Sequence, residues 1–123
     1  MPNVFFLMTR KASEEMSDEV FNLLGRAIAV AVSQVLQLDG PDQVGIYEVI
    51  AKRSMNVNPI QVICLASASP ARLEKLTELK DAVAAAILSL GTDERCAALF
   101  KKFGKSESWP IMPSGSWREV LLT

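Results

Sequence analysis

Apolar and polar positions along this chain follow an order that occurs twice. Val4 to Met8 is an unbroken apolar run, as expected of a strand covered on both faces. Met16, Val20, Leu23, Leu24, Ala27, Ile28, Ala31 and Val35 then return at steps of three and four, which places them on one stripe of a long helix. Ser13 offers that helix an N-cap, and Glu14, Glu15, Asp18 and Glu19 sit in its early turns, where carboxylates suit the positive end of the helix dipole. Asp39-Gly40-Pro41-Asp42 stops it. Val44 to Ile50, rich in β-branched and aromatic residues, reads as a second strand, and Lys52 to Asn58 as a polar connection.

The second half repeats the order. Pro59 to Ala66 is a third strand, and Ser69-Pro70 supplies a cap followed by proline at the first helical position. Leu73, Leu76, Leu79, Val83, Ile87 and Leu90 form the stripe of a second helix that stops at Gly91. Cys96 to Phe100 is expected as a fourth strand, and the remainder, with Trp109, Pro110, Pro113 and Trp117, as a tail with one short strand. The expected fold class is α+β: two tandem β-α-β units in a four-stranded mixed sheet with two helices on one face. One domain spans 1–123, with repeat one at about 2–51, repeat two at about 59–102 and a C-terminal tail at 103–123. A ferredoxin-like sandwich, whose sheet is antiparallel, has the same element order. Within a β-α-β unit the helical crossover is expected to be right-handed.

Composition narrows the classes of function. Half of the residues are apolar and 22% are charged, as in ordinary folded proteins, and a chain of 123 residues can bury a core without disulfide or metal. Thirteen basic residues are scattered among fourteen acidic ones, so no basic stripe points to nucleic acid. Purely apolar runs are short, six residues at Ala27 to Val32 and seven at Ala82 to Leu88, far below a membrane span, and the start lacks the pattern of a signal peptide. A cytoplasmic location is the expectation. Cys64 and Cys96 have no CxxC spacing and read as buried thiols without a role. Neither a phosphate loop nor a GxSxG elbow occurs.

The chain has no histidine, so proton transfer near neutral pH needs another group. The candidates are a perturbed carboxylate, a perturbed lysine or the terminal amine, whose ordinary pKa is about 7.7–8.0. A proline directly after the initiator methionine becomes a secondary amine once Met1 is removed. Apolar surroundings and nearby cations disfavour its ammonium form. Pro59, an internal imide nitrogen, has no proton to exchange.

Met1-Pro2 opening a strand, Pro59-Ile60 opening the second unit, Val44 to Ala51 and Arg95 to Lys102 as matched second strands, and Trp109 after the last of them form one combined pattern. In it the chain resembles the tautomerase superfamily, which includes 4-oxalocrotonate tautomerase and macrophage migration inhibitory factor, over about residues 2–110. The resemblance implies keto-enol isomerisation of small α-keto or enol carboxylic acids, with Pro2 as general base. It implies Arg95 as the cation for the substrate carboxylate and the developing enolate, reaching a neighbouring subunit's proline. Trp109 would form an aromatic wall, and Arg10 and Lys11 would bind carboxylate further. A homotrimer acting on a small carboxylate-bearing substrate, with no cofactor and no metal, is implied by the same resemblance. The chain also departs from the pattern. Gly45 stands at the arginine-matching position of the first repeat, Asp39 and Ala97 replace a lysine and an asparagine of macrophage migration inhibitory factor, and its CxxC is absent. These departures imply the alternative of a non-enzymatic oligomeric binding or structural module with a degenerate pocket.

Overall fold

The computed structural model describes residues 2–66 and 74–103, together with the backbone of 111–114. Strand β1 (Asn3–Thr9) lies between two neighbours. On one side β2 (Gly45–Ala51) runs parallel to it, with Asn3 opposite Gly45 and Thr9 opposite Ala51. On the other, β3 (Ile60–Leu65) runs antiparallel, with Asn3 opposite Leu65 and Met8 opposite Ile60. The short β4 (Ile111–Ser114) adds parallel to β3, giving the order β2-β1-β3-β4. The parallel β1–β2 pair rules out the ferredoxin-like sandwich, whose sheet is antiparallel throughout.

The pleat sends alternate side chains to opposite faces. Val4, Phe6 and Met8 are buried beneath the helices, whereas Asn3, Phe5, Leu7 and Thr9 are only half-buried. The expectation that β1 is covered on both faces is therefore corrected. Its second face is apolar but open, and Phe5 stacks there on the exposed ring of Tyr47 with centroids 5.1 Å apart.

The single helix expected from Ser13 is two. Helix α1 (Arg10–Glu15) is capped by Thr9, whose Oγ1 accepts from the Ala12 amide at 3.2 Å. Helix α2 (Asp18–Val35) is capped by Ser17, whose Oγ accepts from the Val20 amide at 3.2 Å. Met16 between them takes an extended conformation and turns the chain. Each cap satisfies an amide that would otherwise lack a partner, so the two capping residues make two separate helix starts. Ser13, inside α1, donates its hydroxyl to the Glu48 carboxylate on β2. Helix α2 buries Val20, Leu24, Ile28 and Val32, and a turn of 3-10 helix at Pro41–Gln43 leads from it toward β2.

Helix α3 (Leu76–Ser89) lies along α2 and buries Leu79, Val83 and Ile87. Its expected start signals, Ser69-Pro70 and Leu73, lie outside the described residues. A single cluster joins these helices to Val4, Phe6 and Met8 of β1 and Ile60, Val62 and Cys64 of β3. Its largest fully buried side chains, Phe6, Met8, Leu24, Ile28, Ile60 and Ile87, each stabilise the fold by roughly 1.5–3 kcal/mol relative to exposure.

The main correction concerns the strand expected at Cys96 to Phe100. Glu94–Phe103 is helix α4. Cys96, Leu99 and Phe100 are its buried residues, with Phe103 packed against the core one turn on, so the spacing is helical. Asp93 starts it: its Oδ1 accepts from the amides of Arg95 at 3.0 Å and Cys96 at 3.2 Å. Ala97 and Ala98 favour the helix. The expected end of repeat two at Lys102 rested on that strand; the strand that pairs parallel to β3 is Ile111–Ser114.

Candidate functional site

Pro2 heads the inner strand of the sheet and is buried. Its carbonyl accepts from the Gly45 amide at 3.0 Å, which closes the β1–β2 ladder, and having no amide hydrogen of its own in the chain it leaves no ladder donor unpaired. Val44, beside it on the entry to β2, is buried as well. A Cβ on Gly45 would run into Asn3 Oδ1 and lie 3.1 Å from the Tyr47 ring. The place that the resemblance gives to an arginine thus has no room for any side chain unless Asn3 moves.

The expected cations are at the other end. Arg10 and Lys11 are exposed at the start of α1, directly after the last residue of β1. Arg95 is on α4, not on a strand. Its Nη2 is 3.2 Å from Asp93 Oδ2 and its Nη1 3.4 Å from Glu19 Oε2. The hydrogen bond to Asp93 raises the Arg95 pKa above its ordinary value; the same bond, then the Cys96 amide, holds the Asp93 carboxyl below its own. Glu19 is in the first turn of α2, and Lys102 of α4 meets Glu15 of α1 at 2.6 Å. Helix α4 therefore lies by the end of the sheet where β1 leaves it. Arg10, Lys11 and Arg95 share that end. Pro2 is at the opposite end of a seven-residue strand, roughly 20 Å away at about 3.3 Å per residue. Trp109 lies outside the described residues.

Two features were missed in the sequence. Lys52 and Arg53 follow the last residue of β2 as Arg10 and Lys11 follow that of β1, and those last residues, Thr9 and Ala51, are register partners. The signal was present as a pair of dibasic steps, each directly after an apolar strand. The second is an open trough between α2 and α3, with Ala27, Ala31, Ala82 and Ala86 in its walls and Arg26 and Arg95 at its rim. Burial pushes the Cys64 thiol up to about 12 and raises that of Cys96, so neither is a thiolate at neutral pH. Among the described residues no group of His, Cys, Asp and Glu could hold a metal ion, and no helix is long and apolar enough to cross a membrane.

No family model matches the chain, and no curated protein matches it. Among solved structures it is similar to the crystal structure of FG41 malonate semialdehyde decarboxylase inhibited by 3-bromopropiolate, at 16% identity and a TM-score of 0.47, over 93% of this chain and 81% of that one. A likeness that loose carries no side chain's role from one protein to the other.

Proposed function

We propose that the chain is a tautomerase-like protein that interconverts keto and enol forms of small α-keto or enol carboxylic acids, with the amine of Pro2 as general base after removal of Met1. One observation carries this reading: Pro2 heads an inner strand and is buried beside buried Val44. A secondary amine freed there would sit in surroundings that disfavour its charged form, in a chain with no histidine to do the same work. The sheet supports the fold half of the proposal. A helix-linked parallel pair, β1 with β2, abuts antiparallel a second parallel pair, β3 with β4, as two tandem β-α-β units in one domain require. The second unit then runs from Pro59 through Ser114.

The distance from Pro2 to Arg10, Lys11 and Arg95 means that one copy cannot place its base and these cations around one small substrate. In the proposed homotrimer a neighbouring copy supplies them. The open face of the sheet favours such assembly, because Phe5, Leu7, Tyr47 and Val49 present apolar surface there, with Tyr47 50% and Val49 41% exposed. The alternative, an oligomeric binding module without activity, is favoured by a different observation: Arg95 is already held by two carboxylates, and Gly45 has no room for an arginine. The intact mass of the untagged protein should lack one methionine, and phenylpyruvate and 2-hydroxymuconate should be turned over. Turnover that survives Pro2→Ala would end the amine mechanism; no turnover by a trimer lacking Met1 would select the binding module.

A further inference from the structure

The connection from β2 to β3 has to pass over the end of β1, which lies between them. It is fixed at its far side by the Thr9 amide, which donates to the Pro59 carbonyl at 2.9 Å, and it turns at Asn56, whose φ of 58° is in the left-handed region. Beneath it is a cavity of about 170 Å³, lined by Thr9, Ala51, Arg53, Ser54, Asn58 and Gln61 among others. Among the described residues no carboxylate is in its lining.

From this geometry we propose a binding site for a small oxyanion, of phosphoryl or carboxylate type, with Arg53 as its principal ligand. The guanidinium offers several N–H donors to one oxyanion. Thr9 Oγ1 accepts from the Ala12 amide and keeps its own hydroxyl hydrogen to donate. The Ser54 hydroxyl and the side-chain amides of Asn58 and Gln61 are further donors in the lining. Exposed Arg10 and Lys52 follow the register partners Thr9 and Ala51, so their charge adds to the field at this end. Arg10, Lys52 and Arg53 form no ion pair with any described residue. Lys11 contributes less, since it faces Glu15, whose carboxyl it helps to hold down. Of the other acids nearby, Glu48 is engaged by Ser13 and Glu14 is exposed on α1.

The site does not require Pro2 to be a base. Its test is a titration of the isotope-labelled full chain with inorganic phosphate, and separately with acetate, at low ionic strength, followed by amide chemical shifts. The amides of Thr9, Arg53, Ser54 and Asn58 should move together and saturate. Arg53→Gln should weaken the interaction by about tenfold or more without lowering the melting temperature, as expected for loss of a charged hydrogen-bond donor. Tighter phosphate than acetate would identify a phosphoryl ligand, and the reverse a carboxylate. If Arg53→Gln does not fold, Arg10→Gln with Lys52→Gln should still weaken binding by roughly threefold through the lost field. The proposal is overturned by no saturable shift, by shifts centred on Arg26 or Arg95 instead, or by variants that bind as the parent does.

Discussion

The two ends of the sheet differ in kind. At the Pro2 end the strands begin among buried neutral residues, and the nearest charges along the chain are the exposed carboxylates of Asp39 and Asp42 in the turn before β2. At the Thr9 end two dibasic steps leave adjacent strands, and Arg95 and Lys102 of α4 lie close by, tied to Glu19 and Glu15. Parallel strands impose this separation. β1 and β2 both start at the first end and both finish at the second, so residues that lead into them and residues that leave them cannot mix within one copy. The proposed base at one end and the proposed anion-holding groups at the other could act on one small molecule only where two copies meet head to tail. Asp39 and Asp42 at one end and Arg10, Lys11, Lys52 and Arg53 at the other offer opposite charges for such a contact, although Arg26 shares a pocket with Asp42 and Lys75 donates to the Val35 carbonyl at the acidic end.

The largest effect should come from removing the proposed base, Pro2. Pro2→Ala is expected to lower kcat/KM by about 10²–10⁴, the range for loss of a positioned proton carrier, at unchanged melting temperature. Mixing variant copies tests whether the two ends meet. Pro2→Ala copies combined with Arg10→Gln/Lys11→Gln copies should regain activity that neither variant has alone, because in the proposed trimer some mixed assemblies then pair an intact proline with intact cations. Mixtures no more active than the separate variants would mean that these ends do not share a site.

The next effect is on stability and falls at the Pro2 end. Gly45→Ala forces a Cβ against Asn3 Oδ1 and the Tyr47 ring and should cost about 1–3 kcal/mol in denaturant unfolding. Asn3→Ala in the same chain should return most of that. If the double variant is as unstable as the single one, the obstruction lies with Tyr47. At the other end Thr9→Ala removes the cap of α1 and should cost about 1 kcal/mol.

Which parts of this were legible in the sequence depends on the range of the forces involved. Long stripes with local periodicity were readable: Val20 to Val35 on α2 and Leu79 to Ile87 on α3 face the core as expected, and β1, β2 and β3 lie within a residue or two of their expected bounds. The stretch from Arg95 to Lys102 misled because a short segment with Cys96, Leu99 and Phe100 fits a strand or a helix, and Asp93, two residues before it, decides the matter as a cap. The split of the first helix turned on Thr9 and Ser17 capping one start each, where Ser13 alone had looked sufficient. The candidate site was the least legible part. Pro2 could be picked out by its own chemistry, but Arg53 gains meaning only from the pairing of Thr9 with Ala51, a contact between distant stretches of the chain that no local pattern announces.

The smallest expected effect concerns the cations already tied down. Arg95 and the Cys96 amide hold the Asp93 carboxyl below its ordinary value. A carboxylate whose folded pKa is depressed contributes stability that is present above its unfolded pKa, about 3.9, and lost as pH falls through the folded one. Asp93 lies at the surface and its partner Arg95 is exposed, so solvent screens the ion pair and its share of stability is small. The acid side of a melting-temperature profile should therefore be slightly flatter in Asp93→Asn than in the parent below about pH 4, with the curves parallel above about pH 5. Curves parallel throughout would mean that folding leaves the Asp93 carboxyl at its ordinary pKa, held by neither the Arg95 side chain nor the amides at the start of α4. Such a result would free Arg95 from one of its two carboxylates, and with it the strongest reason to regard that arginine as unavailable to a neighbour's Pro2.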